Sequence, residues 1–183
     1  MKLKSITALT PLKQLKEGRT LPLLISGEDS DTNKHEVVLK TFSDREGGKG
    51  AAIIELVCAL FASKLGLNPP QPFEITIPKA FQEIAPEKVK QKLDKLKGTH
   101  YGCLYLPGLS IVVPNRNIQD LKKDEASSIF AYDYFMQNPD RSDTKSNLLE
   151  SNEGYHLIDH DQALSLVRFP SIFGAVYPWE NTA

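Results

Sequence analysis

The sequence predicts an α+β chain in two parts, a small strand-rich amino-terminal part and a helical part after it. Three observations lead there. Short β-rich runs at 21–25, 37–40, 73–77 and 99–106 dominate the first part, with one long helical pattern among them. A second helical pattern, 124–137, ends at Asn138-Pro139. A hairpin signature follows, with Leu148, Leu149 and Glu150 facing His156, Leu157 and Ile158 across a turn of Ser151 to Tyr155. The two parts join near 104–110, and a cleft between them is the default place for a ligand.

Taken in order, 3–9 suits an opening strand, and 16–20 a polar turn holding Gly18. In the strand at 21–25, Pro22 confines that end to an edge or a strand start. A polar turn at 26–35 leads to Val37-Val38-Leu39-Lys40, a β-branched run that ends on a lysine. A lysine so placed is ordinarily a snorkelling edge residue. The loop 43–50 carries Gly47, Gly48 and Gly50 and serves as a connector or as an anion cradle at a helix start. Helix 51–65 repeats Ile54, Val57, Cys58, Phe61, Ala62 and Leu65 at helical spacing, and Gly66 with Pro69-Pro70 stops it. Glu55, the acid inside it, either faces water or pairs with Lys40 across the strand–helix packing face. Strand 73–77 alternates cleanly, 87–96 is an amphipathic helix with solvated lysines, and Pro107-Gly108 closes strand 99–106. Residues 111–119 connect to helix 124–137, where Asp124 and Glu125 suit the positive end and Ile129, Tyr132, Phe135 and Met136 form the apolar face. Apolar residues return at 163–169, and Tyr177-Pro178-Trp179 lies near the end.

The 183 residues carry a net charge of −1 without a basic block, which gives no support to a nucleic-acid or membrane-surface role. No run reaches transmembrane length, and the first residues lack the apolar core of a signal peptide. Cys58 and Cys103 lie far apart among apolar neighbours and read as buried thiols of a reducing, cytoplasmic compartment.

The hairpin carries the chemical reading. A three-residue loop at Asn152-Glu153-Gly154, with a left-handed Gly154, pairs Glu150 with His156 and Leu148 with Ile158. Asn147 then stands opposite Asp159. Directly opposed residues have Cβ atoms roughly 4.5–5.5 Å apart, close enough for an amide oxygen and a carboxylate to share one small hard cation such as Mg²⁺. A surface hairpin with polar ends is the plain alternative.

Several of these residues together resemble the HipA-like kinase family, distant relatives of protein kinases and phosphoinositide kinases. The resemblance rests on Gln137-Asn138-Pro139-Asp140-Arg141, Ser146-Asn147-Leu148-Leu149 and Leu157-Ile158-Asp159-His160. Supporting matches are Val37-Val38-Leu39-Lys40, Glu55-Leu56, Leu65-Gly66-Leu67-Asn68-Pro69-Pro70 and Tyr105-Leu106-Pro107-Gly108. They keep the family's order from about 18 to 165 and suit its Asn-Pro-Asp-Arg branch. Departures are the single Gly18 in the first turn, the longer spacing from Asp140 to Asn147, and His160 where many kinases carry phenylalanine.

The resemblance implies a two-lobed protein-kinase-like fold. Residues 1–106 would form a small antiparallel-sheet N-lobe carrying helix 51–65, and 107–183 a short helical C-lobe, truncated or minimal, with catalytic loop and metal hairpin. Asp140 would be the catalytic aspartate, Asn147 and Asp159 would hold Mg²⁺, and Lys40, fixed by Glu55, would touch the ATP phosphates. Cys103, Leu104, Tyr105 and Leu106 would form the hinge facing adenine, and Arg141 would anchor its loop or neutralise phosphate charge. The implied activity is ATP- and Mg²⁺-dependent transfer to a Ser/Thr hydroxyl of a protein, the alternative being a nucleotide-binding pseudokinase or interaction module. Only 24 residues follow Asp159, so either this branch is minimal, the chain is trimmed, or a partner completes the lobe, and the exposed underside of so short a lobe would favour self-association or a partner protein.

Overall fold

The computed structural model describes residues 3–15, 21–43, 47–96, 98–113, 123–142 and 144–164. The turn expected at 16–20, positions 44–46 of the glycine loop, most of the 111–119 connector, the apolar run from 165 and Tyr177-Pro178-Trp179 lie outside the described residues.

Five strands close into a barrel in the order β1 (Lys4–Gln14), β2 (Leu23–Glu28), β3 (Lys34–Lys40), β5 (His100–Leu104), β4 (Pro72–Thr76). The expected antiparallel sheet is corrected in one respect: β1 runs parallel to β4, with Ile6 opposite Ile75. Parallel neighbours need a long crossover, which β2, β3 and α1 (Gly48–Lys64) together supply, and closure removes the exposed edges an open sheet would leave. β1 is longer than expected because register shifts at Ala8/Thr10 and Pro11/Lys13 bend it along β2 past Pro11.

Alternation sends Ile6, Ala8, Leu23, Ile25, Val37, Leu39, Phe73 and Ile75 into the barrel, which α2 (Lys79–Ile84) and α3 (Glu87–Leu93) cover with Phe81, Val89 and Leu93. Full burial of each large aliphatic side chain contributes about 1.5–3 kcal/mol. Gly102 permits the close approach of the strands, because a Cβ there would lie 2.9 Å from Ile75 Cγ1 and 3.1 Å from the Val38 carbonyl oxygen.

Helix α1 starts inside the expected glycine loop, at Gly48, after a left-handed Gly47. Its buried face is Ala51, Glu55, Cys58, Ala59 and Ala62, small residues apart from Glu55. That close packing turns Val57 and Leu65 outward, contrary to the expected apolar face. Gly66 ends the helix at φ 79°, with Leu67 N–H returning to the Ala62 carbonyl at 3.0 Å.

A second core gathers Cys58 and Ala62 of α1 with Val112, Ile129, Tyr132, Met136, Tyr155, Leu157 and Ala163. It lies between α1, α4 (Lys123–Phe135) and a three-stranded sheet ordered β6 (Ser110–Ile111), β7 (Leu148–Ser151), β8 (Gly154–Leu157). Tyr132 Oη donates to the Cys58 carbonyl at 2.8 Å, and Tyr155 N–H donates to Glu125 Oε1 at 2.7 Å, fastening α4 to both neighbours. Phe135, expected on the apolar face of α4, is largely exposed, whereas Ile129, Tyr132 and Met136 are buried. The described residues therefore make an α+β fold with four helices. No helix among them is long and apolar enough to cross a membrane. Cys58 and Cys103 are free and buried, and burial pushes both thiols up to about 12.

Candidate functional site

The site begins at the end of β3. With Val37 and Leu39 turned into the barrel, Val38 and Lys40 point outward under α1. β3 lies between β2 and β5, so Lys40 is buried in the middle of the barrel wall and is not the edge residue its sequence setting suggested. Glu55 falls on the inward face of α1 with Cys58, Ala59 and Ala62, at helical spacing. Lys40 Nζ donates to Glu55 Oε1 and, at 3.0 Å, to Asp159 Oδ1. Burial pulls the Lys40 pKa down, but the charges of Glu55 and Asp159 outweigh it and hold the ammonium above its ordinary range.

Beyond α4 the chain turns through Gln137 at φ 51° into a loop built around Arg141. Its Nε donates to Asp133 Oδ2 at 2.5 Å, and its Nη1 to the carbonyls of Ser146, at 2.9 Å, and Asn147. Asp133 also accepts from Asn138 Nδ2 at 3.1 Å, and Asn138 Oδ1 accepts the Asp140 N–H at 3.2 Å. Asn147 Nδ2 donates to the Asp140 carbonyl and to Asp140 Oδ2, both at 3.0 Å, which leaves the amide oxygen of Asn147 as an acceptor for a cation. Lys145 Nζ closes the circuit, 2.5 Å from Asp140 Oδ2 and 3.4 Å from Asp159 Oδ2.

The hairpin register differs from the expected one. Leu148 pairs with Leu157, Leu149 with His156 and Glu150 with Tyr155, so Asn152-Glu153 is a two-residue turn and Gly154 a strand residue. Asn147 accordingly faces Ile158, whose N–H it accepts at 3.1 Å, and Asp159 lies one residue beyond. Both residues adopt left-handed backbone, Asn147 at φ 48° and Asp159 at φ 64°, a conformation that asparagine and aspartate visit more readily than other side-chain-bearing residues.

Burial pushes the Asp159 carboxyl up, but Lys40 and then Lys145 outweigh it and hold the group at about 2. Asp161 is buried close by; burial and then the Asp159 charge raise its pKa. Carboxylate oxygens of Glu55, Asp159 and Asp161 lie within 4.8 Å of one another. Glu55 is held by Lys40 and faces His160 Nδ1 at 3.8 Å. Together the three carboxylates offer hard oxygen donors, the kind Mg²⁺ takes.

Lys40, Glu55 and Asp159 are thus in direct contact, as are Asp140 and Asn147, and Lys145 links the two groups. The segment 103–106 stands apart from these contacts. Cys103 pairs with Val38 and Pro72 in the barrel, Leu104 N–H bonds the Gln71 carbonyl at 2.8 Å, and Tyr105 N–H bonds that of Glu36 at 2.9 Å. Leu104 and Tyr105 therefore have no free N–H to present to adenine. Lys145, Asp161 and Asp133 were not singled out from sequence. Asp161 had a signal in its place two residues after Asp159; Lys145, in a polar loop, had none.

A barrel lysine held by a helix glutamate and facing an aspartate beyond a hairpin is an arrangement suited to handling phosphate. The family model described as HipA-like kinase matches residues 10–167, and the chain belongs to that family, one of kinase-type phosphotransferases. Comparison with curated proteins and with solved structures gave no match.

Proposed function

We propose that the protein is an ATP- and Mg²⁺-dependent kinase that phosphorylates a Ser/Thr hydroxyl of a protein, in the cytoplasm. The observation that carries this is the continuous chain of contacts Glu55–Lys40–Asp159–Lys145–Asp140–Asn147. Phosphoryl transfer asks a protein mainly for positioning and for neutralising charge. Lys40 neutralises the nucleotide phosphates, and Glu55 keeps its ammonium in place. Asp159 and Asn147, with Asp161, would hold Mg²⁺, which would supply neutralisation of the nucleotide's phosphate charge. Asp140 has its Oδ2 fixed by Asn147 and Lys145 and orients the acceptor hydroxyl, whose proton it takes. The chain divides in this proposal into lobes at 1–106 and 107–183, with the nucleotide between them.

One observation favours a second reading, a nucleotide-binding module without transfer: Asp140 Oδ2 is already engaged by Asn147 and Lys145. Thermal melting with ATP, with Mg²⁺ and with both separates the two readings, since a ligand that binds the native state raises its apparent stability. The kinase reading expects a metal-dependent shift that Asp159→Asn removes, and transfer to a protein acceptor that Asp140→Asn abolishes with nucleotide binding kept. Stabilisation without transfer supports the second reading, and no shift at saturation excludes both.

A further inference from the structure

We propose that the cavity between the start of α1 and the segment leading into β5 binds a phosphate monoester carried on a short carbon stem. Of the proposed nucleotide and metal residues only Lys40 borders this cavity, and its ammonium is taken by Glu55 and Asp159. The inference therefore stands whether or not the chain transfers phosphate.

The cavity has a volume of about 260 Å³. Sites that hold a whole drug-sized ligand measure about 300–1,000 Å³, so this one suits a side-chain-sized group. Buried Phe42 and half-buried Leu96 give it an apolar floor, and exposed Lys49 and Lys95 a basic rim. Neither lysine has an ion-pair or hydrogen-bond partner among the described residues, and no described residue that lines the cavity is acidic. Two unpaired ammonium groups match the charge of about −1.5 to −2 that a phosphate monoester carries at pH 7. A carboxylate brings a single negative charge.

A second observation is Tyr101, which also lines the cavity. It is 7% exposed, and its hydroxyl has no hydrogen-bond partner among the described residues. Unlike the Tyr155 hydroxyl it is not sealed in, and the surface it keeps opens on the cavity. Burial and then the Glu55 charge raise the phenol well above its ordinary range, which keeps it an O–H donor. A polar group so deeply placed without a protein partner is the mark of a ligand or an ordered water.

The backbone adds a third. Helix α1 begins after left-handed Gly47, at φ 92°, with no side-chain cap and no acidic residue in its first turn. The Gly48 N–H donates to the Ser43 carbonyl at 2.9 Å, and the Ala51 N–H to that of Gly47 at 3.2 Å. Between them the N–H groups of Lys49 and Gly50 have no partner among the described residues, at the positive end of a 17-residue helix. Gly50 brings no side chain to shield them, and a Cβ there would meet nothing within 4 Å. An ester gripped from both sides joins the helix that carries Glu55 to the start of β5.

The alternative is a water-filled cavity under a solvated lysine rim. Calorimetric titration of the full chain, without nucleotide or Mg²⁺, separates the two. The probes are O-phosphoserine, a short peptide containing phosphoserine, and the same peptide unphosphorylated. At least one phosphorylated probe is expected to bind about tenfold or more tighter than the unphosphorylated peptide. A phosphopeptide no tighter than O-phosphoserine identifies a free small ester as the source, and a clearly tighter one identifies a phosphorylated side chain. Lys49→Ala and Lys95→Ala should each weaken that binding about three- to tenfold, as loss of a charge-assisted contact at a partly exposed site does. Tyr101→Phe, which keeps the ring, should weaken it about three- to tenfold without lowering the melting temperature. Absence of binding by both phosphorylated probes overturns the proposal, as does equal binding of the unphosphorylated peptide. Unchanged affinity in both lysine variants also overturns it, since the ester then sits elsewhere. None of these outcomes bears on the kinase reading, which is tested with nucleotide and metal.

Discussion

Lys40 on β3 and Glu55 on α1 form an ion pair buried between barrel and helix, with Glu55 only 1% exposed. Removal of one partner from such a pair leaves an uncompensated buried charge. The two partners are not equivalent. Without Lys40, Glu55 would sit beside Asp159 and Asp161, whereas without Glu55 the lysine keeps Asp159. Lys40→Met is therefore expected to cost about 3–5 kcal/mol of unfolding free energy. Glu55→Gln should cost about 1–3 kcal/mol. Urea denaturation of both variants checks the order, and the opposite order would show that Asp159 does not share the lysine.

Acid should weaken the fold through Asp159. Its carboxyl is depressed from 3.8 to about 2, so its contribution is present above the ordinary value and is lost as pH falls through the depressed one. Asp161 is shifted the other way, so its contribution is present in acid and is lost as pH rises. The unaltered protein is expected to lose stability between about pH 4 and pH 2 with a slope that Asp159→Asn reduces by up to about one proton. Asp161→Asn should gain on the unaltered protein as pH rises above about 4. Chemical denaturation at a series of pH values measures both slopes; parallel curves for all three proteins would contradict the assigned shifts.

Strand positions were legible in the sequence because β-branched runs bounded by turn residues stand out, and so was Gly66 as the stop of α1. Closure was not legible. The β1–β4 pairing joins Lys4 to Phe73, and no local pattern encodes a contact over that separation. The hairpin register failed by one residue because Asn152-Glu153-Gly154 and Asn152-Glu153 are both acceptable turns, and the burial of Tyr155 and Leu157 against α4 decided between them. The pairing of Lys40 with Glu55 could be stated as an alternative from strand–helix order alone. Lys145 could not, since it acquires meaning only when Arg141 folds its loop back onto Asp140.

The Tyr155 hydroxyl is buried and has no hydrogen-bond partner among the described residues. A buried donor left unpaired costs about 1–3 kcal/mol, while the ring contributes to the core with Tyr132, Met136 and Leu157. Tyr155→Phe keeps the ring and removes the unpaired group. It is expected to raise unfolding free energy by about 1 kcal/mol. Tyr155→Ala, which removes the ring, should lower it by about 3–5 kcal/mol, using the range for large aromatic truncations. A destabilised Tyr155→Phe would mean that the hydroxyl is paired in solution.

Arg141 does for the loop that carries Asp140 what Glu55 does for Lys40. Its guanidinium reaches Asp133 of α4 on one side and the carbonyls of Ser146 and Asn147 on the other, a fork that an ammonium cannot reproduce. Asn147 in turn holds Asp140, so a displaced Arg141 moves the proposed base and a proposed metal ligand together. Arg141→Lys is expected to lower unfolding free energy by about 2 kcal/mol and to reduce kcat more than it raises KM. Because the effect runs through Asp133, Arg141→Lys and Asp133→Asn should be non-additive, with a coupling of about 1–3 kcal/mol in a double-mutant cycle. A sum that agrees with the double variant within about 0.5 kcal/mol would mean that the two side chains act independently, and that something other than this ion pair sets the loop.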